Sequence, residues 1–590
     1  MELHSLVLAS QSDQGKRKMI RQSAAVLFFV FAYSAFGALS VRDCGVREGL
    51  FGVDVRANTE AIAKAVERCA AESLGEVRFP AGLWRTGPIH LRSNVFLRLD
   101  EGAFVIFEDD PKLCLPAVRT SWEGVECMNY SPLVYACGCT NVGIVGKGTL
   151  APRMAKWREW FVGGEIHRRI RGEVFMQMMK GESVEKRVLA ERGGYFRPQL
   201  IQFNRCRNVV LKDFRIRESP FWTVHLLRCD GVEISGLDSR ALGHNSDGIN
   251  LEKTRNVVVR NCKLHQGDDG VVIKAGRNRD GWDGESKSCN IDIEGVRLVE
   301  GHGLLVVGSE LSGGVENVTM RNSSQTGASF ALFSLKTNSR RGGEIRNILM
   351  ENCRSDTVRD VVNVRTDSSA YPYPVDVVRR TIIDGITIRD CSVGKASSFC
   401  SVKGDKNCLV SNLRLERVKA DVVGTDAIDA SLCQGFSTNG VGFAEIDPDA
   451  AQWTWDVPKP WYAEYDMSAF LPDAKALEDL GELGDFRLSF DFKEQTEDAA
   501  LLIRDSGAVS LSRPVGSVAS YKPLYDAFDF SKEVQRIEIT VHRRAISVSV
   551  NGFEVVCNER LADFPDRGRL KVRGAEISNV VLEPILGQKY

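Results

Sequence analysis

The 590-residue sequence lacks an excess of charge of either sign. It has 77 lysines plus arginines against 78 aspartates plus glutamates, a formal net charge of −1. A chain without a broad electrostatic field has no general means of holding nucleic acid or an anionic membrane surface. We therefore expect no nucleic-acid partner, and any anionic ligand must be bound by a local cluster of cations.

A hydrophobic run of membrane-spanning length is also missing from the N-terminal region. Residues 24–36 are apolar, follow the basic residues Lys16, Arg17, Lys18 and Arg21, and run into the small-residue cleavage site of Ala35 and Gly37. Such a run is too short for a bilayer but typical of a signal peptide. We predict a signal peptide over residues 1–37 and a secreted or periplasmic protein. No cysteine directly follows the predicted cleavage site, so no membrane anchor is expected.

The cysteines lack the spacing of a zinc site. Cys137 and Cys139 have no second pair at a matching distance along the chain, and the sixteen cysteines are spread too thinly for a disulfide-stapled domain. Several follow a basic residue, Asn or Asp in a repeated context: Cys206, Cys229, Cys262, Cys353 and Cys391. We interpret these as small apolar residues stacked in a core, and we predict no metal and no cofactor.

What the sequence does have is an internal repeat. A four-residue strand signal begins with Asn or Gly and recurs at steps of 23 to 38 residues. The signals lie at residues 208–211, 231–234, 256–259, 290–293, 317–320, 347–350, 385–388 and 412–415. Alternating apolar residues bounded by turn residues predict short strands, and a repeated corner residue favours a solenoid over a sandwich. The predicted fold class is all-β, a right-handed parallel β-helix over residues 38–445.

Two segments interrupt or precede the repeat. Residues 61–66 read as a short helix with Asn58 or Thr59 at its N-cap, which would cover the first coil. Residues 154–197 lose the strand signal and read as a helical insertion. Such an insertion either rises beside the binding face or is a solvated excursion, and the sequence leaves both readings open.

The pattern changes again near Pro448. We predict a linker over residues 446–465 and a small antiparallel β-sandwich over 466–590. Strict alternation at 486–492, 537–541 and 546–550, with the turn pair Asn551 and Gly552, supports this prediction. The strand pattern resembles laminin-G and concanavalin-like sandwiches.

Three aspartates stand out because they fall on neighbouring coils. Asp247 lies in an Asn-Ser-Asp-Gly turn, and Asp268 and Asp269 lie in a Gly-Asp-Asp-Gly turn about one coil later. Adjacent parallel strands are about 4.8 Å apart, so the three carboxyls can meet at one sugar bond. Crowded carboxylates raise the proton affinity of one member, which supplies the acid and the base that glycoside hydrolysis needs. Ordinary Asp-rich corners or a calcium site are the alternatives.

The next two coils add a histidine and a lysine. His302 lies 34 residues after Asp268, and Lys336 lies 34 after His302. If each interval is one coil, both continue the same surface line. A histidine can tune the protonation of a carboxylic acid, and a lysine offers a charge to an anionic substrate.

These motifs together resemble the polygalacturonases of glycoside hydrolase family 28, over roughly residues 41–440. The specific motifs are Asn245-Ser-Asp247, Gly267-Asp-Asp269, Gly301-His-Gly303 and Lys336-Thr-Asn338. Residues 122–127, 219–225 and 276–278 are most similar to bacterial exo-acting members.

The resemblance implies an inverting mechanism on a pectic substrate, a polysaccharide or an oligogalacturonide. It implies that Asp268 is the general acid, that Asp247 and Asp269 hold and deprotonate the water, and that His302 supports the acid. Substrate contacts would come from Asn245 and Lys336, with Tyr371 as a further candidate. The protein is expected to act as a monomer.

One departure from the family pattern concerns Ser334, where the family has an arginine two residues before the lysine. The bidentate guanidinium is therefore missing, which leaves the sugar beside the cleaved galacturonate open. Either a neutral sugar such as rhamnose lies there, as in rhamnogalacturonan, or a loop arginine replaces the lost one. The candidates for this replacement are Arg277, Arg279, Arg340 and Arg341.

Two further classes of protein remain as alternatives. A polysaccharide lyase on the same solenoid would use calcium and a basic residue, and a non-catalytic carbohydrate-binding β-helix would not need the acid and base set. Exo action is expected from the exo-type motifs and from the 154–197 insertion.

Overall fold

The Asn-led repeat forms a parallel sheet in the computed structural model, as the sequence predicts. The structure describes residues 37–49, 52–161, 163–368, 379–424, 427–447, 469–471, 486–494, 499–503, 507–511, 534–542, 545–560, 570–573 and 575–584. All eight predicted strand signals lie in one 14-stranded sheet, called sheet 1. Its strands are Ala38–Ser40, Glu76–Phe79, Phe96–Leu99, Thr140–Gly146, Arg207–Lys212, Asp230–Ser235, Arg255–Arg260, Ser288–Glu294, Val315–Arg321, Glu344–Glu351, Ile382–Arg389, Val410–Glu416, Cys433–Gln434 and Ser437–Asn439.

The remaining sides of the coil form a second parallel sheet of 20 strands, called sheet 2. With sheet 1 it closes a right-handed parallel β-helix around one apolar core, which confirms the predicted fold class. The strands of sheet 2 are Gly82–Thr86, Ile89–His90, Ala103–Phe107, Val134–Cys137, Thr149–Pro152, Ile201–Asn204, Arg215–Arg217, Val224–Leu227, Asp238–Ala241, Ile249–Glu252, Lys263–Gln266, Val271–Lys274, Arg297–Glu300, Gly303–Gly308, Ser324–Lys336, Arg354–Arg365, Ser392–Lys403, Lys419–Val423, Ile428–Asp429 and Gly442–Ile446.

The repeated asparagines fix the register of sheet 1. Asn290 and Asn317 both have a φ of 57°, in the left-handed region that Asn tolerates better than most residues. Their side chains form a ladder, in which Asn317 Nδ2 donates to Asn290 Oδ1 at 3.2 Å and Asn347 Nδ2 donates to Asn317 Oδ1 at 3.1 Å. These bonds hold the coils of Asn290, Asn317 and Asn347 to one another at their corners.

The cysteines of the repeated context are buried and free, as predicted. Cys206, Cys229 and Cys262 are at most 1% exposed and none forms a disulfide. Cys229 and Cys206 follow equivalent strands of successive coils and contribute to the apolar core. They act as small apolar residues.

The N-terminal helix is longer than the sequence prediction, and its predicted cap is wrong. It spans Val55–Ala71, and Asp54 is the N-cap, since its side chain accepts a hydrogen bond from the Ala57 amide at 3.1 Å. Asn58 is buried inside the helix, where its amide donates to the carbonyls of Arg47 and Arg85. The polar residue that appeared to be a cap is instead part of the packing.

The insertion contains the helices Ala155–Glu159 and Glu165–Lys180 and a 3-10 turn at Val184–Lys186. It packs on an antiparallel hairpin, Val118–Trp122 with Val125–Asn129. Together they share an apolar cluster that includes Trp122, Phe175 and Met178. Other 3-10 turns span Val41–Cys44, Pro111–Cys114 and Asn278–Gly281.

Antiparallel strands form a sandwich in the C-terminal part. Its two sheets share one apolar cluster, which also takes in Ile106 of the β-helix. The guanidinium carbon of Arg153 lies 4.5 Å from the ring centre of Phe553. The sandwich therefore lies against the early coils of the β-helix. The strands are Ala469–Leu471, Phe486–Glu494, Gln535–His542, Ala545–Val550, Phe553–Arg560 and Ala575–Pro584 in one sheet, and Ala500–Ile503, Gly507–Ser510 and Leu570–Arg573 in the other.

The predicted signal peptide (1–37) and linker (446–465) fall almost wholly outside the described residues, so these boundaries stay predictions. Among the described residues, no helix has the length and apolar content needed to cross a bilayer.

Candidate active site

The acidic turns stack on one another at one edge of sheet 2. The amide of Gly248 donates to the carbonyl of Asp269 at 2.9 Å, and the amide of His302 donates to the carbonyl of Asp268 at 2.8 Å. The turns lead into the strands Ile249–Glu252, Val271–Lys274 and Gly303–Gly308, which are neighbours in register. Asp268 and Asp269 lie in a turn and not in a strand, so both side chains can belong to the same cluster.

Ser246 and Gly267 hold the first two turns together. The Ser246 hydroxyl lies 2.6 Å from the carbonyl oxygen of Gly243 and accepts a hydrogen bond from the Gly267 amide at 3.1 Å. A Cβ at residue 267 would lie 2.4 Å from the Gly243 oxygen. The close approach of the turns therefore requires glycine at this position.

Asp268 forms an ion pair with His302. The His302 Nδ1 to Asp268 Oδ1 distance is 3.0 Å, and Oδ1 also accepts from the Asp269 amide at 3.0 Å. Burial alone would raise the pKa of Asp268 and lower that of His302, but the pairing outweighs it, so the Asp268 pKa is lowered and the His302 pKa is raised. The pairing therefore favours an ionised Asp268 beside a protonated His302 imidazole.

Asp269 pairs with Lys336, which reaches it from two coils further along. The Lys336 Nζ to Asp269 Oδ2 distance is 3.0 Å. The residue of the intervening strand in the same register position is Gly308, so no side chain stands between them. Burial opposes the charge on Lys336, yet the carboxylates of Asp269 and Asp268 raise its pKa above the ordinary range.

Asp247 is the most deeply placed of the three carboxyls, at 3% exposed. Its pKa is raised well above the ordinary value, first by burial and then by the charge of Asp268. The Nζ of Lys274 lies 4.0 Å from Asp247 Oδ2 and partly offsets this effect. The cluster thus combines one carboxyl with a raised proton affinity and two that are ion-paired, which is an arrangement suited to acid and base chemistry.

Lys274 and Glu310 are buried neighbours of the cluster that the sequence analysis missed. Lys274 Nζ lies 3.0 Å from Glu310 Oε2 and 4.6 Å from the ring centre of Trp222. The available signal was Lys274 itself, which follows Val271–Ile273 at the outward position of an otherwise apolar strand. The Glu310 pKa is lowered despite burial because Lys274 and Arg277 both face it.

Arg277, a predicted substrate contact, is held in this network. It is 1% exposed, and its guanidinium donates to Glu310 Oε1 at 2.6 Å and to the carbonyl of Glu123 at 2.8 Å. The structure therefore places Arg277 beside Glu310. Arg341 is also buried and donates to the Ser309 carbonyl. Tyr371 lies outside the described residues.

Asn245 lines a cleft beside the acidic turns. Its Oδ1 accepts a hydrogen bond from Arg197 at 3.0 Å, and burial lowers the pKa of the adjacent His244 to about 4. The cleft has a volume of about 340 Å³ and is rich in aromatic and basic side chains. It is lined by Trp122, Glu123, Trp160, Phe161, Gly163, His167, Arg168, Arg171, Tyr195, Arg197, His244 and Asn245.

The hairpin covers sheet 2 on the N-terminal side of the cluster. Ser121 Oγ donates to Glu252 Oε2 at 3.1 Å, and Gln202 Nε2 donates to Thr120 Oγ1 at 2.7 Å. As a result the outward-facing Gln202, His225 and Glu252 are all 0% exposed. The groove along sheet 2 is thus closed on this side of the aspartates.

A metal ion would find ligand atoms at Asp268, Asp269 and His302, which all lie within 4.8 Å of one another. Asp268 and His302 already form an ion pair with each other, and Asp269 forms one with Lys336. A cation there would have to displace an ammonium and break an ion pair, so the charges fit the cluster without one.

The family profile described as "Glycosyl hydrolases family 28" matches residues 181–370, which include every aspartate of the cluster. The crystal structure of an exopolygalacturonase from Thermotoga maritima is similar, with 30% sequence identity, coverage of 69% of this chain and 91% of that one, and a TM-score of 0.62. A family 28 exopolygalacturonase from Yersinia enterocolitica shares the fold at 19% identity, over 70% of this chain and 78% of that one, with a TM-score of 0.50.

Curated sequences agree with these matches. An exo-poly-alpha-D-galacturonosidase of Dickeya chrysanthemi is 23% identical over 70% of this chain and 72% of its own length. A probable polygalacturonase of Vitis vinifera is 23% identical over 68% of this chain and 78% of its own length. The chain is a glycoside hydrolase and belongs to family 28 of the glycosyl hydrolases.

Proposed function

We propose that the protein is an exo-acting, inverting polygalacturonase that hydrolyses α-galacturonosyl bonds of pectic polysaccharide or its oligosaccharides. The observation that carries this proposal is the stacked cluster of Asp247, Asp268 and Asp269 with His302 and Lys336. The names of the similar proteins, which describe exopolygalacturonases and a galacturonosidase, support the choice of substrate.

Asp268 acts as the general acid in this proposal. The raised pKa of His302 keeps a proton 3.0 Å from Asp268 Oδ1, so the carboxyl can pass it to the leaving glycosidic oxygen. The imidazole is a positioning and proton-holding partner, and Asp268 is the group that contacts the bond.

Asp247 acts as the base, and Asp269 helps to hold the water. Asp268 and Asp269 bring oxygens within 4.8 Å of each other, whereas an inverting acid and base are about 6.5 to 9.5 Å apart to admit water. We assign deprotonation of the water to Asp247, because Asp269 is held by Lys336 at 3.0 Å and the raised pKa of Asp247 makes it the stronger base once ionised. The anomeric form of the first product, measured by NMR within seconds of mixing, tests inversion, and a product of retained configuration would refute it.

Exo action is supported by the closed side of the groove. Hairpin 118–129 covers sheet 2 on the N-terminal side of the cluster, helix Glu165–Lys180 packs on this hairpin, and the cleft beside them contains Arg168 and Arg171. A pocket with cations and an exposed aromatic ring, Tyr195, suits one terminal uronate sugar better than a continuous chain.

The decisive assay is incubation with polygalacturonan, rhamnogalacturonan and oligogalacturonides. A hydrolase produces reducing ends without the ultraviolet absorption of a new double bond, whereas a lyase produces both. Release of galacturonate from polygalacturonan supports the proposal, and activity on rhamnogalacturonan alone would instead favour a neutral sugar beside Ser334. No turnover by wild type on any of these substrates would favour a non-catalytic binding protein.

Export is part of the same proposal, since pectic polysaccharide lies outside the cell that digests it. We propose cleavage after residue 37 and a secreted or periplasmic location. N-terminal sequencing of the exported protein tests this, and an intact N-terminus beginning at Met1 would refute it.

A further inference from the structure

One register position of sheet 2 is occupied by cations on coil after coil beyond the aspartates. We propose that Lys336, Arg365 and Lys403 form a binding track for successive carboxylates of a polyuronate chain on the open side of the cluster. The proposal rests on the hydrolysis of galacturonides proposed above and adds the residues that would hold the chain beyond the cleaved bond.

The strand register defines the track. Gly308 is paired with Lys336, Lys336 with Arg365, and Arg365 with Lys403 in consecutive parallel strands. Since neighbouring strands lie about 4.8 Å apart, the three cations follow one another along the helix axis at that spacing. Each coil thus offers one positive charge in line with the acidic cluster.

The side chains of the track are available to a ligand. Arg365 has 47% of its side chain exposed and Lys336 38%, and Lys403 is also exposed. This contrasts with Glu252 of the same register column on the closed side, which is 0% exposed.

The partner that now holds Arg365 can be exchanged. Arg365 Nε and Nη2 donate to the two oxygens of Asp367 at 3.0 and 2.9 Å. Asp367 is 43% exposed, and an ion pair between groups exposed to this degree is weak because water competes for both. The bidentate geometry shows that the guanidinium is presented for a carboxylate, and a uronate can take the place of Asp367.

The floor beside the track is polar and not bulky. Ser334, Asn363 and Ser401 occupy the adjacent outward position of the same three strands. Asn363 Nδ2 donates to Asp360 at 2.9 Å, while its buried Oδ1 has no hydrogen-bond donor among the residues that the structure describes. A buried acceptor without a hydrogen-bond donor is expected to bind a donor from a ligand, such as a sugar hydroxyl.

The test is binding of galacturonides of different length to the Asp268→Asn protein, measured by calorimetry. A dimer occupies only the two positions beside the cleaved bond, whereas a tetramer extends along the open side. Adding Arg365→Gln should weaken tetragalacturonate about tenfold, and at least fivefold more than digalacturonate, because a charge-assisted hydrogen bond is lost. Lys403→Gln should weaken tetragalacturonate more than trigalacturonate, because with one carboxylate per coil the trimer ends at Arg365.

The matched control is Arg417→Gln. Arg417 also binds an aspartate through two nitrogens, Asp390 at 2.6 and 2.8 Å, and is exposed, but it follows a strand of sheet 1. Loss of the same charge there should leave the ratio of tetramer to dimer affinity at its parent value. Equal weakening of both ligands by Arg365→Gln, or the same effect from Arg417→Gln, would overturn the track.

The outcomes separate this inference from the proposed function. If the wild-type enzyme is active but Arg365→Gln leaves the affinity for tetragalacturonate unchanged, the track is refuted and the proposed function is not. A wild type that hydrolyses no galacturonide but binds tetragalacturonate through Arg365 refutes the proposed function and retains the track. Absence of any galacturonide binding refutes the track.

Discussion

The two halves of sheet 2, before and after the acidic cluster, have the same strand register but different surroundings. Before the cluster, the outward-facing His225 and Glu252 lie 3.0 Å apart and are fully buried under the hairpin. After the cluster, Arg365 of the same sheet is half exposed. The repeat thus builds the groove, while segments outside the repeat decide where it is closed.

The largest expected effect is the loss of activity on changing Asp268, which lies at the boundary between the two halves of sheet 2. Asp268→Asn should lower kcat by about 10³-fold on polygalacturonan, since a general acid contributes about 10² to 10⁴. The control is Asp390→Asn, an exposed carboxylate paired with Arg417 beside sheet 1. Full activity of Asp268→Asn in a reducing-end assay would remove Asp268 from the acid role.

The buried pair of Lys274 and Glu310 at this boundary should contribute to the free energy of unfolding. Lys274→Met leaves Glu310 without the ammonium 3.0 Å away, in a site where Lys274 is 6% exposed. Removing one partner of a buried pair costs about 3 to 5 kcal/mol in the free energy of unfolding, and we expect the lower end here because Arg277 still pairs with Glu310 at 2.6 Å. Lys287→Met breaks a pair of similar length, 2.9 Å to Glu316, that is over a third exposed, and should cost less than about 1 kcal/mol. Similar denaturation midpoints for the two variants would contradict this contrast.

Lys336 is the first cation on the open side. Lys336→Met should lower kcat/KM on polygalacturonan by about 10- to 100-fold, because a charge-assisted contact to the substrate is lost. The Lys287→Met protein again serves as control, since it loses the same charge far from the groove. A change smaller than twofold in steady-state kinetics would exclude Lys336 from substrate binding.

The pH profile should be bell-shaped. Asp247 must be ionised to accept a proton, so activity falls as the pH drops through its raised pKa, above the ordinary value of about 3.9. His302 must hold its proton, so activity falls as the pH rises through its raised pKa, above about 6.5. His302→Gln should remove the alkaline limb of kcat/KM and keep the acidic one. An unchanged alkaline limb in this variant would show that another group controls it.

The β-helix was predictable because its signal is local and repeated. Most of the repeated strands of sheet 1 begin near an Asn, such as Asn290 or Asn317, whose left-handed backbone and amide ladder follow from the residue type, and the others begin near a Gly. The positions of Asp247 and Asp268 then follow from counting coils. Their roles, with those of Asn245, His302 and Lys336, stay predictions until the variants are measured.

The closed half could not be predicted, because it depends on contacts between segments far apart in sequence. Trp122 stacks on Phe221 at 4.3 Å between ring centres, and Glu126 of the hairpin receives Lys253 at 2.9 Å. Neither pair has a periodic signal. The burial of Arg277 was missed for the same reason, since Glu310 lies 33 residues away in another coil.

A pentagalacturonate tagged at its reducing end gives the most direct test of the one-ended groove. Early samples should contain one tagged product besides the substrate, because the closed side accepts only a terminal sugar. Tagged dimers, trimers and tetramers appearing together from the first time point would show internal cleavage and rule out a one-ended groove.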